Sequence, residues 1–113
     1  VGQLFELDDD GNAVRTMLME TGFWRPQKDA SLEVVMCHPD GVAEVWFGKI
    51  SGAKIELTTD AVARTVTSAT PYTGGHRLYG NVESDLLFTF DRATTEHDLQ
   101  NYLFARLQRS TGA

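Results

Sequence analysis

Apolar and polar residues alternate along short segments of the chain. In the segment Val42–Lys49, even-numbered positions would share one face of a strand and odd-numbered positions the other. A period of two, rich in β-branched and aromatic residues, is typical of β-strands. The predicted strands are Gln3–Leu7, Ala13–Trp24, Leu32–Cys37, Val42–Lys49, Lys54–Thr59, Thr65–Thr70, His76–Val82 and Leu86–Asp91.

Turn-forming residues separate these segments at short intervals. Asp10-Gly11-Asn12, His38-Pro39-Asp40-Gly41 and Gly80-Asn81 are examples, and such residues favour the tight connections of antiparallel hairpins. Many short strands joined by frequent turns are typical of an all-β antiparallel sandwich or barrel. Several strands carry bulky side chains on both faces, which indicates that both faces are covered or that one lines a cavity.

The segment Thr94–Arg109 fits two patterns. Leu99, Leu103 and Leu107 recur every fourth residue, which favours an amphipathic helix. The same leucines fall on odd positions while Tyr102 falls on an even one, which fits a strand with two different faces. The local pattern alone favours the helix, and the family resemblance described below favours the strand.

Composition and charge narrow the function classes. A chain of 113 residues is suited to one domain. Its formal net charge of −6 argues against binding nucleic acid or anionic lipid, because both depend on clustered Lys and Arg. Cys37 is the only cysteine, so an internal disulfide is impossible and a cytoplasmic location is expected. No apolar run approaches the roughly 20 residues that a membrane-spanning helix needs.

Five segments, in order, resemble the nitrobindin family. They are Glu20–Arg25, His38–Glu44, Asp60–Thr65, Arg77–Gly80 and Leu99–Arg109. The resemblance implies a ten-stranded antiparallel β-barrel, similar to the fatty-acid-binding proteins, with an interior cavity. The Gly-rich opening strand of the family has no counterpart here. Residues 1–113 are therefore expected to form a single domain that corresponds to the C-terminal two-thirds of the barrel. The N-terminal strands would be absent, and open strand edges favour a homodimer.

The resemblance also places Tyr102 where nitrobindins have the histidine that holds ferric haem. The family pattern Leu-Gln-Pro-His-Leu-x-Ala-x-Leu-x-Arg aligns with Leu99–Arg109, with Tyr102 at the histidine position. The preceding segment, Asp91–Asp98, is charged where the family has small apolar residues. These departures predict a barrel that binds no haem or other cofactor and is not an enzyme.

The alternative is a ferric haem protein that binds nitric oxide and isomerises peroxynitrite, as the resemblance implies for typical nitrobindins. Tyr102 or His97 would then ligate the iron, because a tyrosinate is a known ligand of ferric haem. His97 lies in a polar segment that is typical of an exposed loop.

Without haem, the predicted ligand is a small apolar or amphipathic molecule such as a fatty acid. The predicted ligand-binding residues are Tyr102, Arg106 and Arg77, because fatty-acid-binding proteins hold a carboxylate with interior Arg and Tyr side chains. A guanidinium pairs well with a carboxylate through two parallel hydrogen bonds. Two alternatives stay open: a Tyr102 that only fills the cavity, and an Arg106 that points into solvent.

The remaining polar clusters predict no further chemistry. His38, His76 and His97 are widely separated along the chain, and their spacing matches no zinc site. The acidic segment Asp8–Asn12 lacks the ligand spacing of a calcium loop. It is predicted to be a hairpin turn instead.

Overall fold

The computed structural model describes residues 2–67 and 71–109, and these form one antiparallel sheet of eight strands. Each strand pairs with the next one along the chain, so the sheet is a simple meander. None of the described residues belongs to a helix that could cross a membrane. The strands are β1 (Gly2–Leu7), β2 (Ala13–Pro26), β3 (Ser31–His38), β4 (Val42–Ser51), β5 (Lys54–Arg64), β6 (Tyr72–Val82), β7 (Asp85–Thr94) and β8 (Gln100–Leu107).

The acidic segment between β1 and β2 is the predicted hairpin turn. Asp8 Oδ1 accepts hydrogen bonds from the backbone N–H groups of Asp10 (3.0 Å) and Asn12 (2.8 Å). Gly11 has a φ of 84°, which a residue without a Cβ adopts at little cost. The carboxylate therefore closes the turn itself.

The sheet curls so strongly that strands far apart in the meander touch across its concave side. The Trp24 ring of β2 lies 5.0 Å from the Tyr79 ring of β6, in an edge-to-face arrangement. The core lies on this concave side, where alternate residues of the central strands are buried. The buried apolar residues are Leu32, Val34, Met36, Val42, Trp46, Leu57, Tyr72, Tyr79 and Phe90.

The convex side is also partly apolar. Phe23, Val35 and Val45 are directly opposed on β2, β3 and β4, and all three are exposed, Phe23 by 76%. Bulk on both faces is what the sequence predicted, but only the concave face is covered by the described residues.

Two predictions about individual segments have opposite outcomes. The strand interpretation of the C-terminal segment is confirmed, since β8 pairs with β7 over Gln100–Leu107. The strand predicted at Thr65–Thr70 is wrong for residues 65–67, which lie outside any strand, and residues 68–70 fall outside the described part of the chain. β5 already runs to Arg64, which pairs with Val42. Beyond that point residues 65–67 find no strand partner, and β-propensity acts only through pairing.

Candidate ligand site

The middle of the concave face holds a buried ion pair between β2 and β6. Arg77 is only 1% exposed, and its two terminal nitrogens donate to the Glu20 carboxylate oxygens at 2.9 and 2.6 Å. Arg77 also donates to the Tyr79 hydroxyl at 3.1 Å. Burial opposes the charge on Arg77, but Glu20 and Tyr79 outweigh it and raise the Arg77 pKa. Burial likewise opposes the Glu20 carboxylate, and the Arg77 contact outweighs it and lowers the Glu20 pKa.

Aromatic rings enclose the same guanidinium. The Arg77 Cζ atom lies 4.3 Å from the centre of the Phe90 ring and 5.1 Å from that of Trp46, distances at which cation–π attraction operates. Within residues 2–67 and 71–109, the buried Arg77 Nε and Trp46 Nε1 have no hydrogen-bond partner. We call this group of Glu20, Trp46, Arg77, Tyr79 and Phe90 the floor cluster.

A second polar cluster lies where β3 meets β4. The two oxygens of the buried Glu44 accept from the His38 ring and from the Tyr72 hydroxyl, the latter at 2.6 Å. The other His38 ring nitrogen, Nδ1, faces the Met19 carbonyl at 3.3 Å. Both ring nitrogens thus face oxygen acceptors, as suits a doubly protonated imidazolium. The Glu44 contact raises the His38 pKa, against the opposing effect of burial.

This second cluster forms one wall of a small cavity. The cavity measures about 30 Å³, which is enough to hold at least one water molecule. Its lining consists of His38, Asp40, Val42, Glu44, Tyr72, Phe90, Arg92 and Tyr102. The cavity therefore brings together β3, β4, β6, β7 and β8, the first and last of which are five strands apart.

Tyr102 reaches this cavity because β8 is irregular. Phe90 pairs with Leu103 and Asp91 pairs with Asn101, so Tyr102 has no partner in the register. An extra residue of this kind is a β-bulge, which redirects a side chain. The Tyr102 ring packs edge-to-face on Phe90 at 5.7 Å.

The cation next to Tyr102 is Arg92. Its Cζ atom lies 3.6 Å from the centre of the Tyr102 ring. Arg92 is half-buried, and it occupies the cavity side of β7 together with Phe90. A cationic and a phenolic side chain therefore stand together in the lining of the cavity.

The other residues predicted from the sequence lie elsewhere. Arg106 is exposed and pairs with Asp85 at 2.7 Å and with Glu83 at 3.5 Å, at the β6–β7 turn. Arg77 belongs to the floor cluster, where Glu20 occupies it. His97 is exposed in the turn before β8, where its backbone N–H donates to Thr94 Oγ1 at 3.2 Å. The structure thus brings Tyr102 to the cavity without Arg106 or His97.

Sequence reasoning missed Arg92, His38 and Glu44 as parts of the site. Glu44 did carry a signal, since it interrupts the apolar face of β4 between Val42 and Trp46. A carboxylate at such a position is expected to have buried partners. Across the described ranges, no group of three or more His, Cys, Asp or Glu side chains is placed to hold a metal ion.

Residues 3–109 match the family model of the THAP4-like, haem-binding β-barrel domain. The chain therefore belongs to this family of haem-binding β-barrels, which confirms the resemblance to nitrobindins. It is 59% identical to a ferric nitrobindin-like protein from Cutibacterium acnes over 96% of this chain and 66% of that one. It is 50% identical to a peroxynitrite isomerase from a Nocardioides species over 91% of this chain and 62% of that one. The chain thus spans less than two-thirds of the length of these relatives.

Among solved structures, the chain resembles that of Rv2717c from M. tuberculosis. The TM-score is 0.72 at 28% identity, over 90% of this chain and 65% of that one. The likeness agrees with an all-β barrel fold, in which the eight strands described here form a large part of the wall.

Two expectations from the sequence are corrected by these comparisons. The prediction that the chain binds no cofactor was wrong, because the matching family is described as haem-binding. The prediction that the chain is not an enzyme was also wrong, because relatives from Nocardioides and two Salinispora species carry the name peroxynitrite isomerase. Tyr102 in place of the family histidine is compatible with haem, since a phenol oxygen can itself ligate ferric haem.

Proposed function

We propose that the chain forms the ligand-binding wall of a ferric haem protein, with Tyr102 as the residue that ligates the iron. The observation that carries this proposal is the bulge in β8, which turns Tyr102 toward the cavity. A phenol oxygen is one of the axial donors found in haem proteins. The matching family is described as haem-binding, and the resemblance to nitrobindins aligns Tyr102 with the histidine that holds their haem.

The residues around Tyr102 fit such a group in chemical type. Phe90 and Tyr72 offer aromatic surface, and Arg92 offers positive charge beside the phenol. The cavity of about 30 Å³ is much smaller than a porphyrin, so it marks the bottom of the site. Two of its lining side chains are partly open to solvent, since Arg92 is half-buried and Tyr102 is 38% exposed.

His97 fits the role of iron ligand less well. It is exposed in the β7–β8 turn and is absent from the cavity lining. Tyr102 meets both conditions that an axial ligand must meet, a donor atom and a position on the cavity wall. Tyr102 is therefore the preferred ligand.

We further propose that the protein rearranges peroxynitrite to nitrate, the activity that its relatives' name describes. Bound ferric haem would supply an electrophilic iron centre for this reaction. The chain's own residues would bind and shield the reactants. Phe90 would offer an apolar ring to the cavity, and Arg92 would provide a positive charge that favours an anion. The hydrogen bonds of Glu44 fix His38 and Tyr72 in the wall.

Titration of the full-length protein with ferric haem, followed by absorbance, tests the proposal. The wild type should bind one haem with a tyrosinate-type spectrum. Tyr102→Phe keeps the ring on Phe90 and removes only the oxygen, so it should lose that spectrum. Tyr102→His should give a histidine-type spectrum. The matched control, His97→Asn, should behave as the wild type.

A wild-type protein that takes up no haem would contradict the proposal. A tyrosinate-type spectrum that survives in Tyr102→Phe would show that another residue ligates the iron. A histidine-type spectrum in the wild type that is lost in His97→Asn would transfer the role to His97. For the activity, haem-loaded wild type should speed peroxynitrite decay to nitrate, measured by stopped-flow absorbance, above the rate with the apoprotein.

A further inference from the structure

The arginines of the chain differ in whether a carboxylate neutralises them. Arg77 pairs with Glu20, and Arg106 pairs with Asp85 and Glu83. Arg92 forms no ion pair with any carboxylate of residues 2–67 and 71–109. Its guanidinium stacks on the Tyr102 ring.

That stacking leaves the hydrogen-bonding edge of Arg92 available. A guanidinium stacks through its flat face, whereas its five N–H groups lie in its plane and point outward. Two carboxylates line the cavity, Glu44 and Asp40. Both Glu44 oxygens are taken by His38 and Tyr72, and no ion pair joins Asp40 to Arg92. The cavity therefore holds a cation that stacks on Tyr102 and forms no ion pair with a carboxylate of residues 2–67 and 71–109.

We propose that Arg92 anchors the carboxylate of the ligand that enters this cavity. Tyr102 holds the guanidinium by its face, and the free edge matches the two oxygens of a carboxylate. The anchor is therefore Arg92. Arg77 is already paired with Glu20, and Arg106 is exposed at the β6–β7 turn. Arg92 gives the site its preference for acidic ligands.

Two ligand sources share this chemistry. One is a propionate of haem, in which case the inference rests on the proposed function. The other is the carboxylate of a fatty acid, the ligand that the sequence predicted. Esterification removes the negative charge from either molecule and leaves its apolar part unchanged, so acid and ester pairs isolate the contribution of the anchor.

The experiment measures binding of four probes to the full-length protein by calorimetry and absorbance. The probes are ferric haem, its dimethyl ester, dodecanoate and methyl dodecanoate. The wild type should bind at least one acid about tenfold tighter than its ester, as expected for a charge-assisted hydrogen-bonded pair. In Arg92→Gln this ratio should fall to about one, and Arg92→Lys should recover part of it.

Two further variants serve as comparisons. Arg25→Gln removes an equally charged side chain that lies in an exposed ion pair with Glu33 at 3.9 Å, and it should keep the wild-type ratio. Arg106→Gln should also keep it. Loss of the ratio in Arg106→Gln, with Arg92→Gln unchanged, would overturn the proposal.

The outcomes also separate this inference from the proposed function. If haem binds and Arg92→Gln keeps the acid-to-ester ratio, the anchor is wrong and the haem site stands. If dodecanoate binds through Arg92 and haem does not bind, the anchor stands and the haem proposal fails. A wild type that binds neither acid better than its ester overturns the anchor.

Discussion

The concave face has two regions, and the arginine in each has a different environment. In the floor cluster, Arg77 is 1% exposed and lies between a carboxylate, a hydroxyl and two aromatic rings. At the cavity, Arg92 is half-buried, stacks on one ring and forms no ion pair with a carboxylate of the described residues. The two residues belong to adjacent strands, β6 and β7, of the same sheet.

The difference separates a structural ion pair from a binding group. A buried charge is stable only when the protein itself supplies its partners, and Glu20 does this for Arg77. A charge near a cavity mouth keeps part of its hydration and can exchange it for a ligand. The floor cluster therefore joins β2 to β6 and stabilises the curled sheet. Arg92 at the cavity, in contrast, can still bind a ligand.

The largest expected effect comes from breaking the floor cluster. Glu20→Gln removes the counter-charge of Arg77, which is 2% exposed in its side chain, and leaves a buried guanidinium uncompensated. We expect a loss of about 3 kcal/mol in the free energy of unfolding, measured by urea denaturation. Glu33→Gln, which removes the exposed partner of Arg25, should change it by less than about 1 kcal/mol. Equal effects would show that the floor ion pair does not hold the sheet.

The next effect tests how tightly the two regions are packed together. A Cβ at Gly75 would lie 2.5 Å from the Tyr72 hydroxyl, 2.7 Å from Phe90 and 2.9 Å from Trp46. Gly75→Ala should therefore destabilise the fold by about 1–3 kcal/mol and disturb the cavity wall. Gly80→Ala is the control, because a Cβ there meets nothing within 4 Å. Thermal unfolding of both variants checks this, and similar melting temperatures would contradict it.

A smaller effect is the pH dependence contributed by His38. Its pKa is raised in the folded state, chiefly by Glu44, so folding favours the protonated ring. The stabilisation is complete below the pKa of the unfolded chain, about 6.5, and is lost as the pH rises through the folded value. The wild type should therefore lose stability between these two pKa values, relative to His38→Gln. Urea unfolding across this pH range measures the difference, and parallel curves would contradict the assignment.

Most of the fold could be predicted from the sequence. Alternation along β3 and β4 and the turn residues between them match the observed hairpin closely, because side-chain period and turn chemistry are local properties. The segment Thr65–Thr67 shows the limit of this reasoning. It has strand propensity, but pairing depends on a neighbour that the local sequence does not reveal.

The site was less predictable because it depends on register. Tyr102 and Arg106 have the same parity and were placed on one face by the strand pattern. The bulge opposite Phe90 and Asp91 separates them, so that Tyr102 meets the cavity and Arg106 pairs with Asp85. Likewise, only the pairing of distant strands shows that Glu20 meets Arg77 and leaves Arg92 without such a partner.

The most direct test of the account is to locate a bound porphyrin on the full-length protein. Gallium protoporphyrin is a diamagnetic analogue of ferric haem, and it can be added while backbone NMR shifts are recorded. The account predicts the largest changes at Phe90, Arg92 and Tyr102, with much smaller changes at Glu20 and Arg77. Changes centred on Glu20 and Arg77, or no saturable change at all, would contradict it.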